Sequence, residues 1–227
     1  MQQKKQKKIR RREVFAGLLL ILVAFSYITS LLLDVKLVSQ NATLDEDLAY
    51  FSEHILSQKI SAYTWLATAL FTAIAIPFYL AVFRRRLRVL QYLNGLFMLA
   101  ASAAFVMMAK YGMEMNLYTV GMLETGMAQT SEQVKLTLLE QFSQEQFYRL
   151  IGSSFVGLWA IGLSLTKFKL ERFPLISSLL LFLSGPALLF FNWTDPDHLG
   201  RTFAMAGIII GVMVFCVRMI NKGMEPS

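Results

Sequence analysis

The run KKQKKIRRREVFAGLLLILVAFSYITSLLLD, residues 4–34, decides the architecture. Seven of its first nine residues are Lys or Arg, and residues 14–33 carry no charge at all. Twenty helical residues at about 1.5 Å each match a hydrocarbon core of about 30 Å. A basic cluster against such a helix is a topogenic signal, held near anionic headgroups at about 1 kcal/mol per charge. The lead resembles a signal peptide, but its apolar core is too long and no A-x-A-like site precedes Asp34, so a retained anchor is expected.

The same alternation recurs along the chain. Its 227 residues are 56% hydrophobic and 16% charged, against about 45–50% and about 25% in soluble domains. Hydropathy predicts one membrane domain over 14–219, with spans near 14–33, 61–83, 89–110, 148–166, 174–192 and 202–219. Pro77 and Pro186 fall inside spans, where they predict kinks rather than ends.

Charge sets the orientation. Residues 1–13, 84–88, 167–172 and the tail after 217 hold 16 of the 22 Lys and Arg but only 3 of the 15 Asp and Glu. Lys- and Arg-rich connections stay cytoplasmic. The basic N-terminus 1–13 and the tail 220–227 are therefore expected in the cytoplasm, in a bacterial inner membrane. The net charge of +7 is accounted for by this placement, and no nucleic-acid partner is expected. A single cysteine, Cys216, excludes an internal disulfide and any CxxC pair.

Two long connections then lie outside, and together they predict a short amphipathic helical cap over 42–58 and 111–147. In the first, Thr43 and Glu46 form a capping box, and Leu44, Leu48, Phe51 and Ile55 follow one helical face. In the second, YGMEMNLYTVGMLETGM is rich in Met, and S143-Q-E-Q146 is read as the start of the fourth span. Long connections with their own structure are often functional, so the outer half is the expected seat of function.

The candidate chemistry gathers there. In TDPDH, residues 194–198, Asp195, Asp197 and His198 crowd between two spans, and His54 sits on the first outer helix with Asp47 seven residues earlier. His54, Asp195, Asp197 and His198 would suit zinc or manganese. A tight turn between spans needs the same residue types, with Asp197 free to cap the last helix, and that reading is favoured. No HExxH, GxSxG, Walker A or dinucleotide fingerprint occurs, so no cofactor is expected. The central parts of the spans read as free of charge, with Asn94, Ser102, Ser153, Ser154 and Ser184 as the main polar side chains, which disfavours an ion-coupled transporter.

Gly207 and Gly211 form a GxxxG, and Ser153 and Gly157 a small-xxx-small pair. Such pairs let helix backbones approach closely. Packing within the chain is the favoured use, and a homo-oligomer seam through Gly207 and Gly211 is the alternative.

A further signal is the order of features. REVFAGLLLILVAF, the Leu32–Leu33–Asp34 exit, FYLAVFRRRLR and IGSSFVGLWAIGLSLTKFKLERFP follow one another across residues 10–218. This order resembles a family of uncharacterised six-span bacterial membrane proteins with a domain of unknown function. The resemblance implies an inner-membrane helical bundle and carries no activity or site residues with it.

The sequence therefore predicts an all-α, six-helix transmembrane bundle. Its expected role is non-enzymatic binding of a lipid, a small hydrophobic or amphipathic ligand, or a membrane partner through the outer half. Met113, Met115, Tyr118 and Trp193 are expected against the apolar part of a ligand, and His54, Glu114, Asp197 and His198 at its polar end. A metal-dependent enzyme built on the His/Asp set and a small transporter are the alternatives.

Overall fold

The computed structural model describes residues 2–32, 53–83, 88–125, 132–167, 175–195 and 199–224. Among them are six helices and no strand: α1 (Gln2–Leu32), α2 (Ile55–Phe83), α3 (Arg88–Thr125), α4 (Glu132–Lys167), α5 (Leu175–Thr194) and α6 (Leu199–Met224). All six contain a stretch long and apolar enough to cross a membrane. This is the all-α six-helix bundle that the hydropathy predicts. Helices α2 and α5 run through Pro77 and Pro186 without ending.

Each helix packs antiparallel on the next, and α1 also packs on α6, which closes the bundle into a ring. Side-chain pairs fix the register. Phe15 meets Phe78 between α1 and α2, and Tyr111 stacks on Tyr148 at 5.7 Å between α3 and α4. Tyr27 of α1 reaches Met205 of α6 with its hydroxyl. The end where α1 begins carries the basic connections and is called the basic end here. The other is the acidic end.

The side chains are distributed inside out relative to a water-soluble protein. Phe15, Leu18, Leu22 and Phe25 form an exposed stripe on α1, while Ser26 and Ser30 are buried. On α5, Leu179, Phe182, Leu183 and Phe190 face outward while Ser177, Ser178, Ser184 and Asn192 are buried. Lipid tails accept leucine as readily as a protein core does, so beside its apolar core the interior can hold small and hydrogen-bonding residues that bind helices together. Ser102 donates to the Ala69 carbonyl at 2.8 Å, joining α3 to α2, and Ser177 donates to the Gly211 carbonyl at 2.7 Å, joining α5 to α6. Gly157 and Gly185 bring the α4 and α5 backbones together, since a Cβ on Gly185 would sit 2.8 Å from the Gly157 carbonyl oxygen.

The second long connection differs from its expected form. Residues 111–125 continue α3, and α4 begins at Glu132, so S143-Q-E-Q146 lies inside a helix rather than opening one. Residues 132–151 contain no Gly or Pro and are rich in Glu, Gln and Leu, strong helix formers that carry the helix past the capping box. At 38 and 36 residues, α3 and α4 are each over 50 Å long at about 1.5 Å per residue. Of the first outer segment, residues 42–52 lie outside the described residues, and α2 takes over at Ile55.

Candidate functional site

Three helices build a polar pocket toward the acidic end. On α2, Gln58, Ser61 and Trp65 recur at i, i+3 and i+7, one face of a helix. On α3, Met108, Gly112, Met115 and Asn116 do the same, and on α4 the stripe is Phe142, Glu145 and Arg149. Together they enclose about 20 Å³. Trp65 is 1% exposed, Asn116 2%, Ser61 5%, Gln58 6% and Glu145 8%.

Charge inside this pocket is balanced. Arg149 lies 3.5 Å from Glu145, one turn away on the same helix, and both side chains are nearly nine-tenths covered. Both fall within Leu136–Leu165, a stretch apolar enough to cross a membrane. The expected fourth span, 148–166, leaves Glu145 outside and Arg149 at its edge; what differs is that the helix carries its apolar stretch back to Leu136. The pair continues a stripe begun by Leu138 and Phe142 on the face that α4 turns inward.

Trp65 and Asn116 each bring to the pocket a buried polar atom with no hydrogen-bond partner among the described residues. One is the Trp65 indole N–H and the other the Asn116 side-chain carbonyl. The Asn116 amide nitrogen is tied back to the Gly112 carbonyl at 2.7 Å, which fixes the orientation of the group. An unmet buried donor or acceptor costs about 1–3 kcal/mol, so among the described residues these two atoms are polar groups of the pocket that need an explanation.

Beneath the pocket, toward mid-bundle, lies an aromatic layer. The Trp65 ring meets Tyr27 edge-on at 5.4 Å and Phe105 at 5.0 Å. Gly152 gives the Phe105 ring its seat, because a Cβ there would fall 2.5 Å from the ring edge. Past this layer is an apolar cavity of about 60 Å³, to which all six helices contribute, with Val23, Thr72, Met98, Trp159, Leu188 and Ile208 among its walls. The hydroxyls of Thr68 and Thr72 donate to their own helix at 2.8 and 2.7 Å, so they offer the cavity methyl groups. The polar pocket and the apolar cavity sit one helical turn apart, as Trp65 to Thr68 on α2 and Met108 to Phe105 on α3.

Two further polar clusters bind helices. Asn192 of α5 donates to Ser153 at 2.9 Å and to Ser154 at 3.2 Å on α4, and Trp193 donates to Ser154 at 3.1 Å. Near the basic end, Asn94 donates to the Tyr79 hydroxyl at 3.0 Å, and Gly162 provides the space that the Asn94 carbonyl occupies.

The residues singled out from sequence are dispersed. Met115 is buried and lines the polar pocket. Met113 and Tyr118 are half-buried and do not line it. Glu114 pairs with Lys110 at 3.6 Å on the exposed side of α3. His54 is half-buried one turn before Gln58, whose N–H its carbonyl accepts at 3.0 Å. Trp193 is exposed apart from its bond to Ser154, and Asp195 is exposed. Asp197 and His198 lie outside the described residues, and among the described residues no three His, Cys, Asp or Glu side chains come together. Gly207 and Gly211 face Ser184 and Leu181 of α5, so this surface packs within the chain.

Gln58, Trp65, Asn116, Glu145 and Arg149, the residues that do converge, carry no motif in the sequence. Their only signal is helical spacing, three short stripes of polar side chains on the faces where apolar ones would be routine. Compared with family models, curated proteins and solved structures, the chain matches none, so the likeness to six-span bacterial proteins rests on the order of its own segments.

Proposed function

We propose that this chain is a non-enzymatic membrane protein that binds an amphipathic molecule in its interior. The polar end of the ligand sits among Trp65, Asn116 and Ser61, and its apolar body takes the six-walled cavity beneath. One observation carries the reading. A polar pocket that holds the Trp65 N–H and the Asn116 carbonyl, neither with a partner among the described residues, stands one turn from an apolar cavity, which is the division of an amphiphile. Ligand sites are commonly apolar hollows with a few placed polar groups. In this reading the Trp65–Phe105 contact parts to let the ligand thread from one compartment to the other.

The charge pattern supports a bacterial inner-membrane setting with both termini in the cytoplasm. The polar pocket then opens toward the outer leaflet. Single cysteines at Gln129 and Leu170, in a Cys216→Ser background, test the orientation with a membrane-impermeant maleimide on intact cells. Labelling is expected at 129 and not at 170, and the reverse would overturn the orientation.

Extraction and mass spectrometry of purified protein test the binding. Wild type is expected to carry a small amphiphile enriched over bulk membrane lipid. Ala101→Phe or Val212→Phe, each filling the cavity, should lose it while retaining a cooperative melt. Enrichment unchanged in both filled variants would overturn the reading.

A further inference from the structure

We propose that the polar pocket is an internal water site, in which one or two fixed waters solvate the Glu145–Arg149 pair and hydration stops at the layer of Tyr27, Trp65 and Phe105. The inference goes beyond the amphiphile reading and does not depend on it, because it concerns the polar pocket alone.

Size limits the guest. On α2 the lining runs from Gln58 to Trp65 and on α3 from Asn116 back to Met108, a rise of roughly 10–12 Å at about 1.5 Å per residue. The space enclosed over that length is only about 20 Å³, against about 10–15 Å³ for one water. That is room for one or two waters and for nothing much larger.

Polar partners decide whether water stays, since a buried water makes about two to four hydrogen bonds. The Trp65 N–H and the Asn116 carbonyl are buried with no hydrogen-bond partner among the described residues. They stand at opposite ends of the lining, so separate guests serve them, and water both donates and accepts. The Gln58 carbonyl oxygen and the Arg149 Nε–H are buried in the same lining, and Ser61 adds a hydroxyl. The charges add to the demand. Glu145 and Arg149 lie 3.5 Å apart, beyond the about 2.7–2.9 Å of a direct charge-assisted bond. A covered ion pair is tolerated when further hydrogen bonds satisfy its remaining lone pairs and protons.

The apolar cavity supplies the contrast. At about 60 Å³ it has room for several waters at about 10–15 Å³ each. Its threonine hydroxyls bond their own helix, however, and the Tyr27 hydroxyl bonds Met205. Trp159 lines it with an indole N–H that has no partner among the described residues, but one donor falls short of what holds a water. Polarity rather than volume therefore sorts the two hollows, one wet and one dry.

The methionines report the difference. Met108 and Met115 line the polar pocket, Met98 lines the apolar cavity, and all of them are buried. Millisecond X-ray radiolysis of the full chain in dimyristoylphosphatidylcholine nanodiscs makes hydroxyl radicals where water sits, and mass spectrometry reads the oxidation rate of each methionine. Met108 and Met115 are expected to oxidise well above the unirradiated background, and Met98 to stay near it. A bulk radical scavenger should slow the half-buried Met113 and leave the Met108 rate unchanged, because a radical made inside the pocket never crosses bulk solvent.

Ser61→Leu fills the pocket and should bring the Met108 rate down to that of Met98. Asn116→Leu, which adds bulk and removes an acceptor, is the second filled variant, and each is read only where it keeps a cooperative melt. A Met108 rate no higher than that of Met98 in the parent protein would overturn the water site. So would slowing of Met108 in step with Met113 under scavenger, or an unchanged Met108 rate in the filled variants. Lipid enrichment in Ala101→Phe and Val212→Phe is a separate readout, so failure of the water site leaves amphiphile binding to its own test.

Discussion

The Glu145–Arg149 pair should behave as one unit of stability. Replacing Arg149 by Met leaves the Glu145 carboxylate nine-tenths covered beside Gly112 with its cation removed. At 3.5 Å, the attraction between unit charges is about 5 kcal/mol for an effective dielectric of about 20. Desolvation of both groups offsets much of that gain in the intact pair. The imbalance appears when one partner goes, and breaking a covered pair typically costs about 3–5 kcal/mol. For a chain of this size each kcal/mol lowers the melting temperature by about 2–4 °C.

Arg149→Met and Glu145→Gln should therefore each melt roughly 6–20 °C below wild type. The double variant removes both charges and should recover most of the loss. Thermal melts of the four proteins in one detergent give the coupling directly, because the cycle cancels effects common to each substitution. Two results would refute the reasoning: a single variant melting within about 2 °C of wild type, or a double variant falling by the sum of the singles.

Packing at the glycines gives a second expectation. Gly185→Ala must push α4 from α5, because its Cβ meets backbone of Gly157 and Ile161, whereas Gly95→Ala meets only the tip of Leu80. Overpacking costs about 1–3 kcal/mol; in thermal melts Gly185→Ala should fall clearly below wild type and Gly95→Ala should not. Asn192→Leu removes the donor that joins α5 to Ser153 and Ser154; a loss of about 1–3 kcal/mol should show as a lower melting temperature. The same variant should alter Trp193 emission, since that indole shares Ser154, and an unchanged spectrum would mean the two bonds are independent. Gly152→Ala drives a methyl into the Phe105 ring and should disturb Trp65 above it, measured as a shift in Trp65 emission with little change at Trp193.

The architecture was legible because it depends on block lengths and on where the arginines stand. Six apolar runs near the length of a bilayer core admit few alternatives, and the observed helices cover all of them. The site was not legible for a related reason. Hydropathy averages over a turn or more, so it reports Leu136–Leu165 as apolar and passes over Glu145 and Arg149 inside it. The side chains that look chemical in isolation are others, such as His54, Glu114 and Trp193. The structure places these half-buried, at the surface or in a contact between helices. Trp65 lies near one end of the expected span 61–83, where tryptophans often anchor at the membrane interface. Its complete burial against Tyr27 and Phe105 depends on neighbours from two other helices, which no window along one helix contains.

The contact between α1 and α6 sets a condition on how the protein is made. About 170 residues separate the end of α1 from the start of α6, and ribosomes add about 5–20 residues per second. For roughly ten to thirty seconds the first helix stands in the bilayer with its inner face, including Gly17 and Tyr27, uncovered on the side that α6 will take. The polar pocket needs only α2, α3 and α4, so it is assembled early, while the cavity beneath stays open to lipid until the last helix arrives. A nascent chain therefore forms its polar pocket several helices before its apolar cavity is closed off from lipid.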